Sequence, residues 1–145
     1  MTDFVFNIAK GAVAQMIRTN ASNLLVLLLK AAESDATFKD RTTVAQILAN
    51  GSTEADFTNY VRKTGITGTV TVDNVNDRVD VDMPDQTWLS AGGGANNTLV
   101  SAVVAYENSA SDAGRVPLTN HVFPVTTDGS DLTLQVNSAG FYRAS

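Results

Sequence analysis

The hydrophobic pattern changes texture along the chain, and Gly65 marks the change. Ahead of it, two apolar runs, Ala12–Ile17 (AVAQMI) and Leu24–Leu29 (LLVLLL), are separated by RTNASN, a polar stretch rich in turn formers. Two core elements joined by a turn follow from that spacing. Periodicity leaves LLVLLL as either a doubly buried strand or the start of a helix capped by Ser22. Its shortness and the turn residues before it favour the strand. From Ser34 to Thr64 alanine and polar residues dominate. Thr42 or Thr43 is placed to cap a helix over TVAQILAN, and Asn50-Gly51 to end it. A second helical turn is expected over Glu54–Phe57, after Ser52 or Thr53, before Tyr60 and Val61 return toward the core.

Beyond Gly65 the pattern alternates. Thr69–Val72 and Arg78–Met83 read as strands joined by the turn residues of DNVND; Val79, Val81 and Met83 fall on one face, Asp80 and Asp82 on the other. Gln86–Leu89 is a further short strand, Gly92–Asn97 a flexible loop, and Leu99–Tyr106, apolar on both faces, a central strand. His121–Thr126 and Leu132–Asn137 are expected as a hairpin around Asp128-Gly129, with Pro124 confining the first to a sheet edge. The closing FYRAS is a last strand or docked tail. Roughly seven to nine short strands with one helical insertion predict a mainly β fold. The expected architecture is a single-domain β-sandwich spanning 1–145, with one or two short helices between the early strands.

Composition narrows the functions open to such a domain. The chain has 145 residues and a formal net charge of −5, with ten scattered Lys and Arg. No basic run is present to neutralise a row of phosphates, so nucleic acid is not an expected partner. The absence of cysteine removes disulfides, thiolate metal sites and a Cys nucleophile. The N-terminus does not read as a secretory signal, so synthesis in a cytoplasm is expected. The longest apolar run is six residues, Leu24–Leu29, against roughly 20 for a membrane span, so no membrane partner is expected.

Candidate chemistry is sparse. The one histidine, His121, begins a strand, and no serine sits in a nucleophile elbow, so triad catalysis has little to build on. Asp73, Asp77, Asp80, Asp82 and Asp85 supply oxygen ligands of the kind Ca²⁺ takes, but their spacing is not that of an EF-hand and two fall on the polar face of a strand. A hydrolase using paired aspartates meets the same objection. The glycine run 92–94 lacks a phosphate-loop context. No catalytic residue, cofactor or metal is therefore expected. Trp88, with Asn96 and Asn97 in the neighbouring loop, is the candidate ligand-binding set, since an exposed indole can stack on a sugar; a core tryptophan is the plainer alternative. Phe4, Val5 and Phe6 are the candidate assembly contact, within an arm over 1–8, against the alternative of an ordinary edge strand.

Three blocks, FNIAKGAVAQ, DRVDVDMPDQTW and VPLTNHVFPVTTDGSDLTLQVNSAGFYRAS, together resemble a family of small virion proteins of tailed bacteriophages. The likeness spans most of the chain. It implies a non-enzymatic structural component, either a minor tail or tail-tip protein or a capsid decoration protein. Such a chain works through contacts with other virion proteins and as a homo-oligomer in the particle. The alternative role in the same setting is recognition of a host-surface glycan through Trp88, Asn96 and Asn97.

Overall fold

The computed structural model of the chain describes residues 1–6 and 13–144. Residues 7 and 8 of the expected arm, together with Ala12 and Ser145, lie outside the described residues. The fold is mainly β and sandwich-like, with antiparallel sheets and, among the described residues, three short helices. Its centre is strand β2 (Leu24–Ala31), and every residue from Leu24 to Leu29 is fully buried. The run is the doubly buried strand. β8 (Ser101–Glu107) pairs along one side of it, from Leu24 opposite Tyr106 to Leu29 opposite Ser101. The other side is shared by β3 (Thr53–Glu54) and β4 (Lys63–Ile66). β9 (Arg115–Val122) lies outside β8, and β1 (Phe4–Val5) closes that edge.

Directly opposed residues of antiparallel strands point to the same face. Leu25, Leu27 and Leu29 therefore share one face with Val103, Ala105 and Phe4, while Leu24, Val26 and Leu28 share the other with Ala102, Val104 and Val5. On the first face the rings of Phe4, Phe6 and Phe38 stand edge to face with centroids 5.1 to 5.5 Å apart, which docks α2 (Asp35–Phe38). The short helix α3 (Val44–Ala49) packs against β9. On the second face lie α1 (Val13–Thr19) and a three-stranded sheet in the order β11 (Tyr142–Ala144), β6 (Arg78–Asp82), β5 (Thr69–Asp73). Gly68, ahead of β5, meets Ile17 and Leu24 so closely that an added Cβ would stand 2.8 Å from Leu24 Cδ1. β7 (Gln86–Trp88) and β10 (Leu132–Leu134) form a separate pair.

Several expected elements are in place. Thr43 caps α3 by accepting from the Gln46 amide at 3.2 Å, and Gly51 follows it with φ +102°. The Asp73 carboxylate receives the Val75 and Asn76 amides and so folds the β5–β6 turn.

Other expectations are corrected. Thr53–Glu54 is not the start of a helical turn but a strand, because the free side of β2 offers it backbone partners at Leu29 and Ala31. The extra helix is α2 instead, with the Ser34 carbonyl accepting from Thr37 and Phe38. β4 was not foreseen, since Gly65 interrupts its pattern; that glycine takes φ +65° within the strand. The strand expected over His121–Thr126 begins six residues earlier, at Arg115, and ends at Val122. Pro117 lies inside it, beside a register shift opposite Val104 and Ala105, where a bulge relieves the ladder of the missing N–H. Pro124 falls after the strand. Asp128-Gly129 does turn the chain, but onto Ala91, whose amide donates to Ser130 O while Gly129 N donates to Ala91 O. β10 consequently pairs with β7 rather than with the preceding segment, and it stops at Leu134.

Gly140 sets the last strand. Its φ is +89°, and a Cβ there would lie 2.2 Å from the Val81 carbonyl oxygen, which accepts the Phe141 amide. Gly140→Ala is expected to destabilise by more than the roughly 1–2 kcal/mol of a left-handed alanine, because it also forces β11 off β6. Gly65→Ala, equally left-handed but in open space, is expected to lose only that backbone penalty. Urea denaturation of the two variants measures the difference.

Candidate functional site

The residues singled out in the sequence come to rest in three separate places. Phe4 and Val5 form edge strand β1, paired to Asn120 and Thr119, and Phe6 is fully buried with its amide donating to Leu118 O. Over these residues the expected arm is a strand of the domain itself, held because two phenylalanines two positions apart reach Phe38 together. Trp88 is 1 % exposed. Its Nε1 donates to Val61 O at 2.7 Å and the Lys63 ammonium lies 5.3 Å above the ring, so the indole presents no stacking face. Asn96 Oδ1 accepts from Gly93 N, and Asn97 exchanges two hydrogen bonds with Asp56, receiving its amide and donating to its carboxylate. Both asparagines therefore organise the glycine loop.

Four of the five aspartates, Asp73, Asp80, Asp82 and Asp85, are spent on local structure as well. Asp73 and Asp80 each stand 3.1 Å from Arg78 Nε, and Arg143 Nε donates to Asp80 at 2.6 Å. Asp82 accepts from the Met83 amide and Asp85 from the Val136 amide. Among the described residues no cluster of three or more acidic or histidine side chains is placed to hold a metal ion.

His121 lines two adjoining concavities of about 440 and 370 Å³ between the β1–β9 edge and residues 133–143. Its Nε2 is 2.8 Å from Thr119 Oγ1, and its Nδ1 is 4.0 Å from Asp3 Oδ2. The order threonine, histidine, aspartate has the outline of a triad. Thr119, however, is 1 % exposed, which leaves its hydroxyl no approach to a carbonyl carbon, and Asp3 also accepts the Val122 amide. The grouping ties the N-terminal strand to β9.

A larger ionic group was not visible in the sequence. Arg62 donates two bonds to Glu54, both 2.6 Å, and two to Asp112, at 2.6 and 3.1 Å; Arg115 donates to the same Asp112 and to Glu107. Tyr60 joins by donating to Glu54 while accepting the Leu28 amide, and burial holds its phenol far above the usual range. The members stand at 54, 60, 62, 107, 112 and 115, and no spacing in the chain announces that they converge.

Both edge strands of the three-stranded sheet, β5 and β11, lack an outer strand neighbour among the described residues. β5 has a neighbour on one side only among the described strands. Val72, Val79 and Ala144 lie in one cross-strand row, and they line a shallow groove of about 430 Å³ with Asp73, Asn74, Asp77 and Arg78. Val72 is 52 % exposed and Val75, at the hairpin tip, 91 %. The strand carries no lysine, proline or bulge, and of the devices that keep an exposed strand from pairing it has its shortness, five residues, and the charge of Asp73 at its end.

No family model matches the chain, and no match was found among curated proteins or solved structures.

Two titrations, at His121 and at Asp112, give the fold a pH signature. Burial lowers the His121 pKa from its ordinary 6.5, opposed in part by the Asp3 carboxylate. The unfolded chain then takes up this proton first, so the contribution to stability is complete above 6.5 and declines as the pH falls. The Asp112 carboxyl, held below its ordinary 3.8 by hydrogen bonds from Arg62 and Arg115, adds a loss of the same sign in more acid solution. His121→Gln is expected to flatten the profile just below about pH 6.5 and to leave the more acid limb intact; Asp112→Asn is expected to do the reverse. Denaturation midpoints across pH check both.

Proposed function

We propose that the chain is a non-enzymatic structural component of a tailed-bacteriophage virion, a minor tail or tail-tip protein or a capsid decoration protein, acting through protein–protein contacts. The observation that carries the contact role is the β5–β6 hairpin. An open strand edge and two exposed valines at 72 and 75 stand together at one end of a sheet whose other end is core. Apolar surface of this kind gains by being covered, and an edge without lysine, proline or bulge has backbone donors and acceptors open to another chain. The virion setting rests on the resemblance of the three sequence blocks.

The expectation is that Val72→Lys together with Val75→Ser leaves the thermal midpoint close to wild type, since neither side chain is buried. The same pair of changes is expected to remove the protein from purified particles of the phage that encodes it. Quantitative mass spectrometry of those particles supplies the measurement. Normal incorporation of the variant would overturn the hairpin as the contact. Absence of the wild-type chain from particles would overturn the virion role. The wild-type copy number separates the two locations: a few copies place it at the tail tip, hundreds on the capsid.

A further inference from the structure

We infer that Asn50-Gly51 is a site of spontaneous covalent modification: when the last turn of α3 frays, the Asn50 side chain cyclises onto the Gly51 nitrogen and reopens as aspartate or isoaspartate. Asn50 is followed by glycine, as no other asparagine of the chain is. The Gly51 backbone nitrogen, having given up its proton, attacks Asn50 Cγ. The N–Cγ bond forms, the Cγ–Nδ2 bond breaks, and ammonia leaves with the proton. Water then adds to the cyclic imide. Addition at Cγ opens it to aspartate; addition at the main-chain carbonyl opens it to isoaspartate, whose backbone runs through the side-chain carbon. Water enters and ammonia leaves, and nothing is oxidised or reduced.

The fold leaves the reacting atoms within reach. Both residues are exposed, and Asn50, at φ −118° and ψ 34°, has already left the helical backbone of α3. Among the described residues the Gly51 N–H donates to no backbone acceptor, so its attack breaks no backbone hydrogen bond. The Asn50 amide is held by one bond, from Nδ2 to Gln46 O at 2.7 Å. That bond closes the end of a helix of only six residues, and helix ends fray.

Asp128-Gly129 could close the same ring with loss of water, and its surroundings differ. The Gly129 N–H is committed to Ala91 O at 2.8 Å, and Asp128 Oδ1 accepts from both the hydroxyl and the amide of Ser130. Those bonds hold the carboxyl below its ordinary 3.8, as an anion that resists a nucleophile. Asn50-Gly51 has neither protection. Its conversion replaces a hydrogen-bond donor with a carboxylate beside the last carbonyls of α3, the negative end of the helix. It also adds negative charge to a chain whose formal net charge is already −5.

The test is peptide mass spectrometry of the full chain, sampled during incubation in mildly alkaline buffer. The peptide containing Asn50 is expected to gain the mass of an amide-to-acid exchange ahead of every other asparagine, and to resolve into aspartyl and isoaspartyl forms. Gly51→Ala is expected to slow conversion several-fold, because the added methyl hinders ring closure. That methyl meets nothing nearer than Glu33 Cγ at 3.8 Å, and the strain of alanine at φ +102° would loosen the turn. Loosening alone would speed conversion, so slowing reports the ring closure itself. Thr43→Ala removes the α3 cap and is expected to speed conversion about fivefold, the weight of one capping bond. Circular dichroism of each variant verifies the fold. Three results would overturn the assignment: another asparagine converting first, Gly51→Ala keeping pace with wild type, or a rate indifferent to Thr43→Ala.

Discussion

A strand with no solvent-facing side constrains everything around it. From Leu24 to Leu29 each side chain is removed from water, and full burial of a leucine or valine is worth about 1.5–3 kcal/mol. That gain is available only if both faces and both edges are covered by chain from elsewhere. Residues 101–107 supply one edge, 53–54 and 63–66 the other, the phenylalanines and α2 one face, and α1 with the three-stranded sheet the opposite face. Nearly all of these partners are remote in sequence. The fold is therefore a set of long-range closures around six aliphatic residues, and local propensity decides only details.

This explains which parts of the fold were legible in the sequence. LLVLLL, the alternation of Arg78–Met83, and the Thr43 cap of α3 are signals contained within a few neighbouring residues, and they point to the right elements. β3 and β9 are different. Thr53–Glu54 becomes a strand because β2 has backbone groups to satisfy there, and the proline in β9 is tolerated because a bulge sits beside it. Neither reason resides in the segment concerned. Asp128-Gly129 shows the same division: the turn chemistry was readable, but its partner, Ala91, was not.

Site residues follow a similar logic. Trp88, Asn96 and Asn97 have the chemistry of a ligand-binding surface, yet one is packed under Lys63 and the others hold a loop together. A polar or aromatic side chain advertises what it can bond, and the fold decides whether that capacity is used inward. The arginines make the point with charge. Arg62, Arg78, Arg115 and Arg143 each meet carboxylates of the same chain, so these arginines are already committed within the structure. Surface left over for contact is thereby shifted toward the uncharged valines and threonines of the hairpin.

The three-phenylalanine stack has one further consequence, for direction. By leaning Phe4 and Phe6 on Phe38, and with Thr2 donating to Asp35, it brings the chain in beside α2, on one side of the main sheet. The last strand, β11, belongs to the layer on the other side, one strand away from β5. A domain or reporter joined after β11 would follow Ala144, which lines the hairpin groove with Val72 and Val79, and would crowd whatever docks there.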